Sequence, residues 1–549
     1  MTQSRMICLL WLCATMLVSG CTRTRTRMAI HDQSPMNEGR AFVESDDAPA
    51  GSRPAARDSV VEGAVDLRRE IQLINAEQPG VVDVSGSMNS TGTSIKTSAT
   101  MAVEPLQLDS VIASVVASYP LLQSAMFGRN IAQGDLLAAN GEFDLKLKAD
   151  TLNMPVGFYE NYRQSVSAEQ PLYGGGSVFG GHRIGTGDFP VYYGERATNL
   201  GGEFKVGAVI PLAQNRAIDD RRAGVWRGDW EVQSVEPEIQ AQYIEFIRAA
   251  SITYWNWVAA GQNVRITEEL LQNATERNEG LRRRVEEGDA PAIELTDNQR
   301  LIVSRRTKLI DARRKLQQSA YKLSLFLRDE FGQPRVIDEL HLPREFPQAD
   351  DPSRQDLDTD IQTAVANRPE LRALAILREQ LNIDYSVARN LCLPQIDAVV
   401  VGSQDVGNPY DPKKDDKSPL EFEVGLMASI PLQRRKAQGK SVAVEGKLAQ
   451  VRIKSQFTRE KIVAEVQSAS AALNAAYQQL EQAHQALDLA RKMEVAERRK
   501  FDLGDSNLLL VNLREQATAD AAATEVDARL NFFDAQADYR AALATDIAP

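Results

Sequence analysis

The chain has 549 residues, of which 25% are charged and 43% hydrophobic, so it holds enough apolar material for a folded body and is not disordered by composition. Its formal net charge is −12, whereas binding to nucleic-acid phosphates requires a concentrated basic surface. Composition therefore argues against a nucleic-acid-binding protein. Local basic runs at residues 282–284 and 434–436 are interpreted as solvated helix faces.

Residues 1–20 are predicted to be a lipoprotein signal peptide. Arg5 supplies a positive charge, residues 6–18 are an apolar run of suitable length, and residues 18–21, with the sequence Val-Ser-Gly-Cys, resemble the lipobox of bacterial lipoproteins. The exported chain would then begin at Cys21, acylated on its sulfur and on its amino group. An ordinary signal peptide that is cut beside an incidental cysteine is the alternative. Cys392 would be the one thiol left, so we expect no intramolecular disulfide.

Residues 21–104 are predicted to be a lipid-anchored, flexible N-terminal tether. They are rich in Arg, Thr, Ser, Asp, Gly and Pro and show little periodicity. After the signal peptide we expect no apolar run long enough for a spanning helix. A chain of this kind could cross a membrane with strands in a closed barrel, because only helices and closed barrels satisfy every backbone polar group in lipid.

The folded body is predicted to begin near residue 105, with a helix over residues 108–139 that is interrupted near Pro120. Four alternating segments then predict four strands, at residues 143–151, 203–211, 395–401 and 420–430. Their length is about what a tilted membrane strand needs, and each has an apolar face and a polar or small one. A soluble, half-buried sheet would show the same alternation, so that alternative stays open.

The segments that join these strands differ between the two halves of the chain. Residues 154–202 contain several glycines and tyrosines and are predicted to form a long surface loop, whereas residues 403–419 are predicted to form a short polar turn. A phosphate-binding loop is disfavoured, because the glycines are not followed by Lys-Ser/Thr or by the start of a helix.

Two long helical hairpins are predicted to hold most of the mass. Apolar residues recur in steps of three and four, as in a coiled-coil seam, and a helix over residues 440–502 would be about 95 Å long at about 1.5 Å per residue. Gly288 and Gly504 are expected to end the rising helices, and the Asp or Ser residues that follow are expected to cap the returning ones. The returning helices are predicted at residues 292–331 and 507–544.

The two hairpins are copies of one unit. Residues 282–284, Gly288-Asp289 and the tripeptide Asp-Ala-Arg at 311–313 recur at 498–500, 504–505 and 527–529, always 216 residues later, as from Gly288 to Gly504. The tripeptide Ile-Pro-Leu ends one strand of each half. A period this large is not that of a solenoid, whose repeats have roughly 20 to 50 residues. It indicates a duplicated domain half.

This order of elements, given twice, resembles that of the TolC-like outer-membrane factors, the exit ducts of tripartite efflux pumps and type I secretion systems. The resemblance covers roughly residues 105–545. The residues that carry it are Pro120 and Pro369, the tripeptides at 210–212 and 430–432, Tyr254 and Trp255, and Gly288 and Gly504.

The resemblance implies a fold that is mainly α with membrane β, built from a duplicated strand-strand-long-helical-hairpin unit. It implies a homotrimer in which four strands per chain close a 12-stranded β-barrel that is continued by a 12-helix α-barrel. It also implies a cell outer-membrane location, lipid-anchored at Cys21, with a long periplasmic portion. The predicted domains are the signal peptide (1–20), the tether (21–104), the first outer-membrane-factor repeat (105–345) and the second (346–549).

The function implied is passive conduction of substrates from the periplasmic tunnel to the outside. The implied partners are further copies of the chain, a periplasmic adaptor (membrane fusion protein), through it an inner-membrane transporter, and outer-membrane lipid, with no cofactor and no nucleic acid. Gly288, Asp289, Gly504 and Asp505 are the candidates for the periplasmic hairpin tips that meet the adaptor and form the aperture. Leucines occupy residues 508–510, where some relatives carry acidic rings.

The acidic residues Glu294 and Asp297 are therefore the candidates for an aperture ring, and exposed charges at a helix start are the alternative for them. Two other classes of protein were weighed. An enzyme is disfavoured, because the four histidines have no metal-ligand spacing and no partner for a nucleophile, so no catalytic residue and no metal ligand is predicted. A periplasmic coiled-coil adaptor or structural lipoprotein remains the alternative function, although an adaptor would normally show one hairpin between split β-rich domains.

Overall fold

The computed structural model describes residues 104–190, 196–352, 356–409 and 417–545. The predicted signal peptide, the acylation site Cys21 and nearly all of the predicted tether lie outside the described residues. Their assignments stay predictions.

The elements of the described residues follow one another in the order of two similar units. The first unit comprises α1 (Leu108–Ser118), α2 (Pro120–Asn140), β1 (Lys146–Met154), β2 (Asn161–Pro171), β3 (Ser177–Gly187), β4 (Glu203–Pro211), α3 (Asp220–Glu286) and α4 (Ala292–Leu323). The second comprises α5 (Leu357–Asn367), α6 (Pro369–Asn390), β5 (Gln395–Asp405), β6 (Glu421–Ser429), α7 (Arg435–Asp502) and α8 (Leu508–Leu543). The second unit thus has the order of the first with two strands fewer.

The helices α3 and α7 confirm the predicted long hairpins. They have 67 and 68 residues, which corresponds to about 100 Å at about 1.5 Å per residue. Each long helix packs against two shorter ones, α3 against α2 and α4, and α7 against α6 and α8. The helix α3 begins at the N-cap Asp219, whose side chain accepts a hydrogen bond from the backbone N–H of Arg222 at 2.9 Å.

The predicted break near Pro120 is confirmed, and it recurs in the second unit. Tyr119 and Arg368, which precede the prolines, have ψ angles of 119° and 122°, outside the helical region. Proline disfavours the helical conformation of the residue before it, but it fits the first turn of a new helix, where its missing N–H is not needed. The chain therefore turns once and starts α2 and α6 at Pro120 and Pro369.

By length and composition, the segment Leu108–Phe143 could cross a membrane, contrary to the expectation that no such helix follows the signal peptide. The segment is not one helix, because α1 ends at Ser118 and α2 starts at Pro120. Val111, Val115 and Leu122 are buried in the same hydrophobic core as residues of α3. We therefore assign this segment to the helical body.

Aromatic side chains hold the middle of the helical body together. The ring of Trp255 stacks on that of Phe533, with 4.3 Å between the ring centroids, and Phe346 stacks on both. Next to them the hydroxyl of Tyr254 donates to the carbonyl oxygen of Leu106 at 2.9 Å, and burial raises the pKa of Tyr254 to about 12. The long helix α3, its partner α8 and the segment after α4 are thereby joined.

The prediction of four strands is wrong, because the sheet in the described part of the chain has six, in the order β1-β2-β3-β4-β5-β6, with every neighbouring pair antiparallel. The strands β4 and β6 lie where they were expected, β5 begins as predicted but extends to Asp405, and β1 begins three residues later than predicted. The strands β2 and β3 occupy much of residues 154–202, which were predicted to be a loop. They escaped prediction because glycine, serine and alanine fill many of their positions, which leaves a weak alternation.

The interface between α3 and α8 contains a carboxyl group in an unfavourable setting. Asp534 on α8 has a buried Oδ1 atom without a hydrogen-bond partner, and its neighbours Asp538 and Arg248 form an ion pair of 2.6 Å with each other. Burial, followed by the charge of Asp538, raises the pKa of Asp534 to about 7, against the opposing effect of Arg248.

We expect the stability of the chain to fall as the pH rises from about 4 to about 7, and Asp534→Asn to remove that slope. Between the ordinary pKa of 3.8 and the folded-state value of about 7, the folded chain holds a proton that the unfolded chain has lost. The measurement is denaturant unfolding of the detergent-solubilised protein at several pH values. The control is Asp520→Asn, an exposed position on the same helix. An unchanged slope in Asp534→Asn would contradict the assignment.

Candidate functional site: the two-faced sheet and the hairpin ends

One face of the six-stranded sheet carries apolar side chains on every strand, although Gln164, Gln170, His182 and Gln404 also lie on it. The register pairs Ala149 with Val166 between β1 and β2, and Val400 with Val424 between β5 and β6. Side chains of successive strands that are paired in this way point to the same face. The apolar face comprises Leu147, Ala149, Val166, Ala168, Val178, Ile184, Phe204, Val206, Ala208, Ala398, Val400, Phe422, Val424 and Leu426.

The apolar face is not covered by the helices. Leu147 is 74% exposed, Val206 68% and Leu426 71%, on β1, β4 and β6 respectively. A contiguous apolar surface of this kind is unusual on a soluble monomer and marks a surface that another apolar phase covers. In a soluble half-buried sheet, this face would instead pack on a core.

The opposite face carries most of the charged and hydroxyl side chains of the sheet. Lys148 on β1 forms an ion pair of 2.8 Å with Glu169 on β2, and Arg183 on β3 pairs with Glu203 on β4. The polar face comprises Lys146, Lys148, Asp150, Arg163, Ser165, Ser167, Glu169, Arg183, Glu203, Lys205, Asp397, Ser403, Asp405, Glu421 and Glu423. The apolar exceptions on it are Leu152, Met154, Phe179, Val209, Val399, Val401 and Met427.

A cluster of acidic residues is bridged by one arginine at the end of the sheet away from α3. The guanidinium of Arg196 contacts both carboxylate oxygens of Glu421, at 2.7 and 2.9 Å, and lies 3.8 Å from Glu203 and 3.9 Å from Asp405. The backbone N–H of Asn199 donates to Asp405 at 2.9 Å. Residues 196–199 are thereby fixed on the polar face. Sequence reasoning did not find this cluster, because its members come from both units.

The predicted turns at the hairpin ends have the same geometry in both units. Gly288 and Gly504 have φ angles of +83° and +84°, which glycine adopts without strain. The next residue, Asp289 or Asp505, donates its backbone N–H to the carbonyl oxygen five residues earlier, at 2.8 and 2.9 Å. These are the hydrogen bonds of a Schellman motif, so the prediction that these glycines end the helices is confirmed.

The prediction that Asp or Ser caps the returning helices is wrong. The N-cap of α4 is Pro291, which has no side-chain cap, and the N-cap of α8 is Asn507, whose Oδ1 accepts from the backbone N–H of Leu510 at 3.0 Å. Asp289 and Asp505 are exposed instead. The N-cap of each returning helix comes two residues after the aspartate, so these carboxylates are left at the surface.

The two hairpin ends lie side by side. The guanidinium carbon of Arg284, in the last turn of α3, lies 6.0 Å from the centre of the Phe501 ring, in the last turn of α7. Of the two acidic candidates for an aperture ring, Asp297 is paired with Arg300 at 3.0 Å, and Glu294 is half-buried in the first turn of α4. The negative charge of Glu294 is therefore offset less than that of Asp297.

Sequence reasoning missed a buried carboxylate that joins the two hairpins above their ends. Glu515 on α8 is 2% exposed and pairs with Arg277 on α3, with Arg305 on α4 at 3.1 Å and with Arg498 on α7 at 3.1 Å. Arg305 also donates to the backbone carbonyl of Leu270 at 2.6 Å. The carboxylate of Glu515 on α8 thus contacts the other three helices of the two hairpins. Burial lowers the pKa of Arg277, against the effect of Glu515.

No signal in the sequence marks this cluster, which we call the Glu515 cluster (Arg277, Arg305, Arg498 and Glu515). The positions that the repeat makes equivalent to Glu515 and Arg305 are Gln299 and Ala521, so the duplication does not preserve it. Within the part of the chain that the structure describes, no group of His, Cys, Asp and Glu residues could hold a metal ion.

The fold is similar to that of solved outer-membrane channels. The outer membrane protein VceC from Vibrio cholerae has a TM-score of 0.57 at 15% identity, over 80% of this chain and 96% of that one. The open-state MtrE outer membrane channel from Neisseria gonorrhoeae has a TM-score of 0.56 at 14% identity, over 86% and 97%. The CmeC outer membrane channel from Campylobacter jejuni has a TM-score of 0.56 at 12% identity, over 85% and 94%.

The sequence itself points to the same family. Residues 361–545 match the model of the outer membrane efflux protein family, while no curated protein matches the sequence. The resemblance to the TolC-like outer-membrane factors is thereby confirmed.

We expect Glu515→Gln to destabilise the folded chain by about 3–5 kcal/mol, because removing one partner of a buried ion pair leaves its arginines uncompensated. The measurement is the midpoint of denaturant unfolding, followed by far-UV circular dichroism in detergent. The control is Glu460→Gln, an exposed position on α7 where the change should stay within about 0.5 kcal/mol. Equal midpoints for the two variants would show that the Glu515 cluster does not stabilise the hairpins.

Proposed function

We propose that the chain is the exit duct of a tripartite efflux pump or of a type I secretion system, conducting substrates passively from the periplasm to the outside. The observation that carries this proposal is the exposed apolar face of the sheet, which lies at one end of helices about 100 Å long. The sheet is suited to lipid, and the helices are long enough to reach far into a periplasmic space. Solved outer-membrane channels share this fold.

The duct requires more than one copy of the chain. Within the described residues, β1 and β6 are the two edges of the sheet, and open edges do not occur in lipid because their backbone groups would be unpaired. Since the sheet has an even number of antiparallel strands, β6 of one copy runs antiparallel to β1 of the next. A ring of copies can therefore close, and we propose the homotrimer that the family resemblance implies.

The polar face then lines a water-filled passage. Its paired charges, such as Lys148 with Glu169, offer water and polar substrates a hydrated wall. We propose no reaction on this wall, and the energy for transport comes from an inner-membrane transporter. The acyl groups on Cys21 are proposed to tether the chain to the same membrane.

The hairpin ends are proposed to meet the adaptor. Gly288 and Gly504 give both ends the same turn, and Asp289 and Asp505 each present an exposed carboxylate there. Glu294 is proposed to contribute negative charge near the aperture, more than Asp297, whose charge Arg300 offsets. Identical turns on neighbouring hairpins would offer a partner a repeated docking surface.

We expect the full-length protein, purified from outer-membrane fractions, to be a trimer and to conduct ions in a planar lipid bilayer. The measurements are mass determination in detergent and single-channel recording. A monomer that is recovered from the soluble periplasm would contradict the duct and would favour the coiled-coil adaptor or structural lipoprotein. Discrete conductance steps from a trimer support the duct.

We expect Asp289→Cys and Asp505→Cys, in a Cys392→Ser background, to cross-link in cells to a periplasmic protein. That protein should have one helical hairpin between split β-rich domains, as an adaptor does, and mass spectrometry would identify it. The control is Gln456→Cys, an exposed position in the middle of α7, far from the hairpin end. Cross-links to an adaptor from Gln456→Cys alone would contradict the role of the hairpin ends.

A further inference from the structure

We propose that the hairpin of β2 and β3 is part of the membrane wall, so that each copy contributes six strands and a trimer closes an eighteen-stranded barrel. The inference rests on the proposed function, because it needs the sheet to lie in the membrane. The alternative place for the hairpin is a flap outside the wall, with β1 and β4 as direct neighbours.

The hydrogen-bonding register places the hairpin inside the sheet. The strand β2 pairs with β1 from Met154 opposite Asn161 to Lys146 opposite Glu169, which is the whole length of β1. The strand β3 pairs with all of β2 and then with β4, from Arg183 opposite Glu203 to Ser177 opposite Val209. The strands β1 and β4 are therefore separated by two complete strands, and removing the hairpin from the wall would break two ladders.

The two faces of the hairpin continue the faces of its neighbours. Val166 and Val178 lie on the apolar face, opposite Ala149 of β1 and Ala208 of β4 respectively, and Ser167 and Arg183 lie on the polar face. Val166 is 62% exposed, like the apolar residues of the other strands. A hairpin that stood in water on both sides would not need an apolar face in register with its neighbours.

His182 is one of the polar residues on the apolar face, together with Gln164 and Gln170, and its contacts account for its position. His182 lies on the apolar face, but its Nε2 is 2.9 Å from the carbonyl oxygen of Gly201, and its ring lies 4.5 Å from the ring of Phe204. The imidazole thus has a polar partner at the end of the sheet away from α3 and an aromatic neighbour beside it. A side chain with one apolar and one polar side is suited to the border between lipid and water.

The turn between β2 and β3 shows that the hairpin spans the whole height of the sheet. Tyr173 in this turn accepts a hydrogen bond from Nε1 of Trp226, in the second turn of α3, at 2.8 Å. Gly176 has a φ of +78°, and a side chain there would lie 2.0 Å from the carbonyl oxygen of Val209 near the end of β4. The turn is therefore held at the level where the sheet gives way to the helices, and the hairpin extends from there to the far end.

The strand number sets the width of the pore. Neighbouring strands are about 4.8 Å apart, so the circumference of a barrel grows with the number of strands at a given tilt. Eighteen strands give a barrel about 1.5 times as wide as twelve, in the range where barrels leave an aqueous channel. The pore through the outer membrane would then admit larger cargo than a twelve-stranded one.

Cysteine accessibility tests the position of the hairpin. Val166→Cys and Ser167→Cys are made separately in the Cys392→Ser background of the full-length protein, reconstituted in lipid vesicles, and treated with a membrane-impermeant maleimide. Val424→Cys and Glu423→Cys on β6 are the matched pair on a strand that the family pattern already provides. We expect labelling at 167 and 423 and at least ten-fold slower labelling at 166 and 424.

The outcomes separate the two proposals. If both 166 and 167 are labelled while 424 stays protected, the hairpin lies outside the wall, and this inference fails while the duct stands. If 424 is labelled as fast as 423, the sheet is not in the membrane, and the duct fails as well. Electron microscopy of the purified trimer along its axis is a second measurement, which needs no substitution: eighteen strands support the inference and twelve overturn it.

Discussion

The fold depends on the burial of the apolar side of α3 against other helices. A helix of 67 residues satisfies its own backbone hydrogen bonds, but most of its stability has to come from packing against other elements. The helix α3 contacts α1, α2, α4, α6 and α8, so both units are built around it. The aromatic residues Tyr254, Trp255 and Trp257 lie at the middle of this contact, where the segment after α4 also returns. The prolines that begin α2 and α6 meet the same requirement. At each of them the chain turns, and the helix that follows then packs along a long helix.

This arrangement places two different surfaces at the two ends of the same helices. At the start of α3 and α7 lies the sheet, where the alternation of strand residues separates an apolar face from a polar one. At their other end lie two Schellman turns with exposed carboxylates. Lipid can cover the first surface, whereas the second is suited to a protein in water. The distance between them, about 100 Å, is set by helix length alone.

Much of this was predictable from the sequence, and the exceptions have physical reasons. The hairpins were predictable because heptad spacing and a glycine stop act locally, over a few residues. The strands β2 and β3 were not, because glycines at 180, 181 and 185 supply no side chain to mark a face, and the faces become visible only through the register with β1 and β4. The Glu515 cluster was not predictable either, since Glu515 and Arg305 lie 210 positions apart and meet only when the hairpins pack. The turn glycines of the candidate site were predictable from the sequence, but the N-cap residues of the returning helices were not.

The differences between the two units now have specific locations. The hairpin ends are alike, as the repeated Gly-Asp pair indicates, and a docking surface for a symmetrical partner would favour this likeness. The sheet ends differ by one complete hairpin, β2 and β3, whose addition keeps the strand number even and so leaves antiparallel closure possible. A single added strand would have reversed the direction of every later strand. The chain would then leave β4 at the opposite end of the sheet, and α3 would begin there. Insertion of a whole hairpin is thus the smallest change that can widen the wall and still keep the helices and their ends where a partner would meet them.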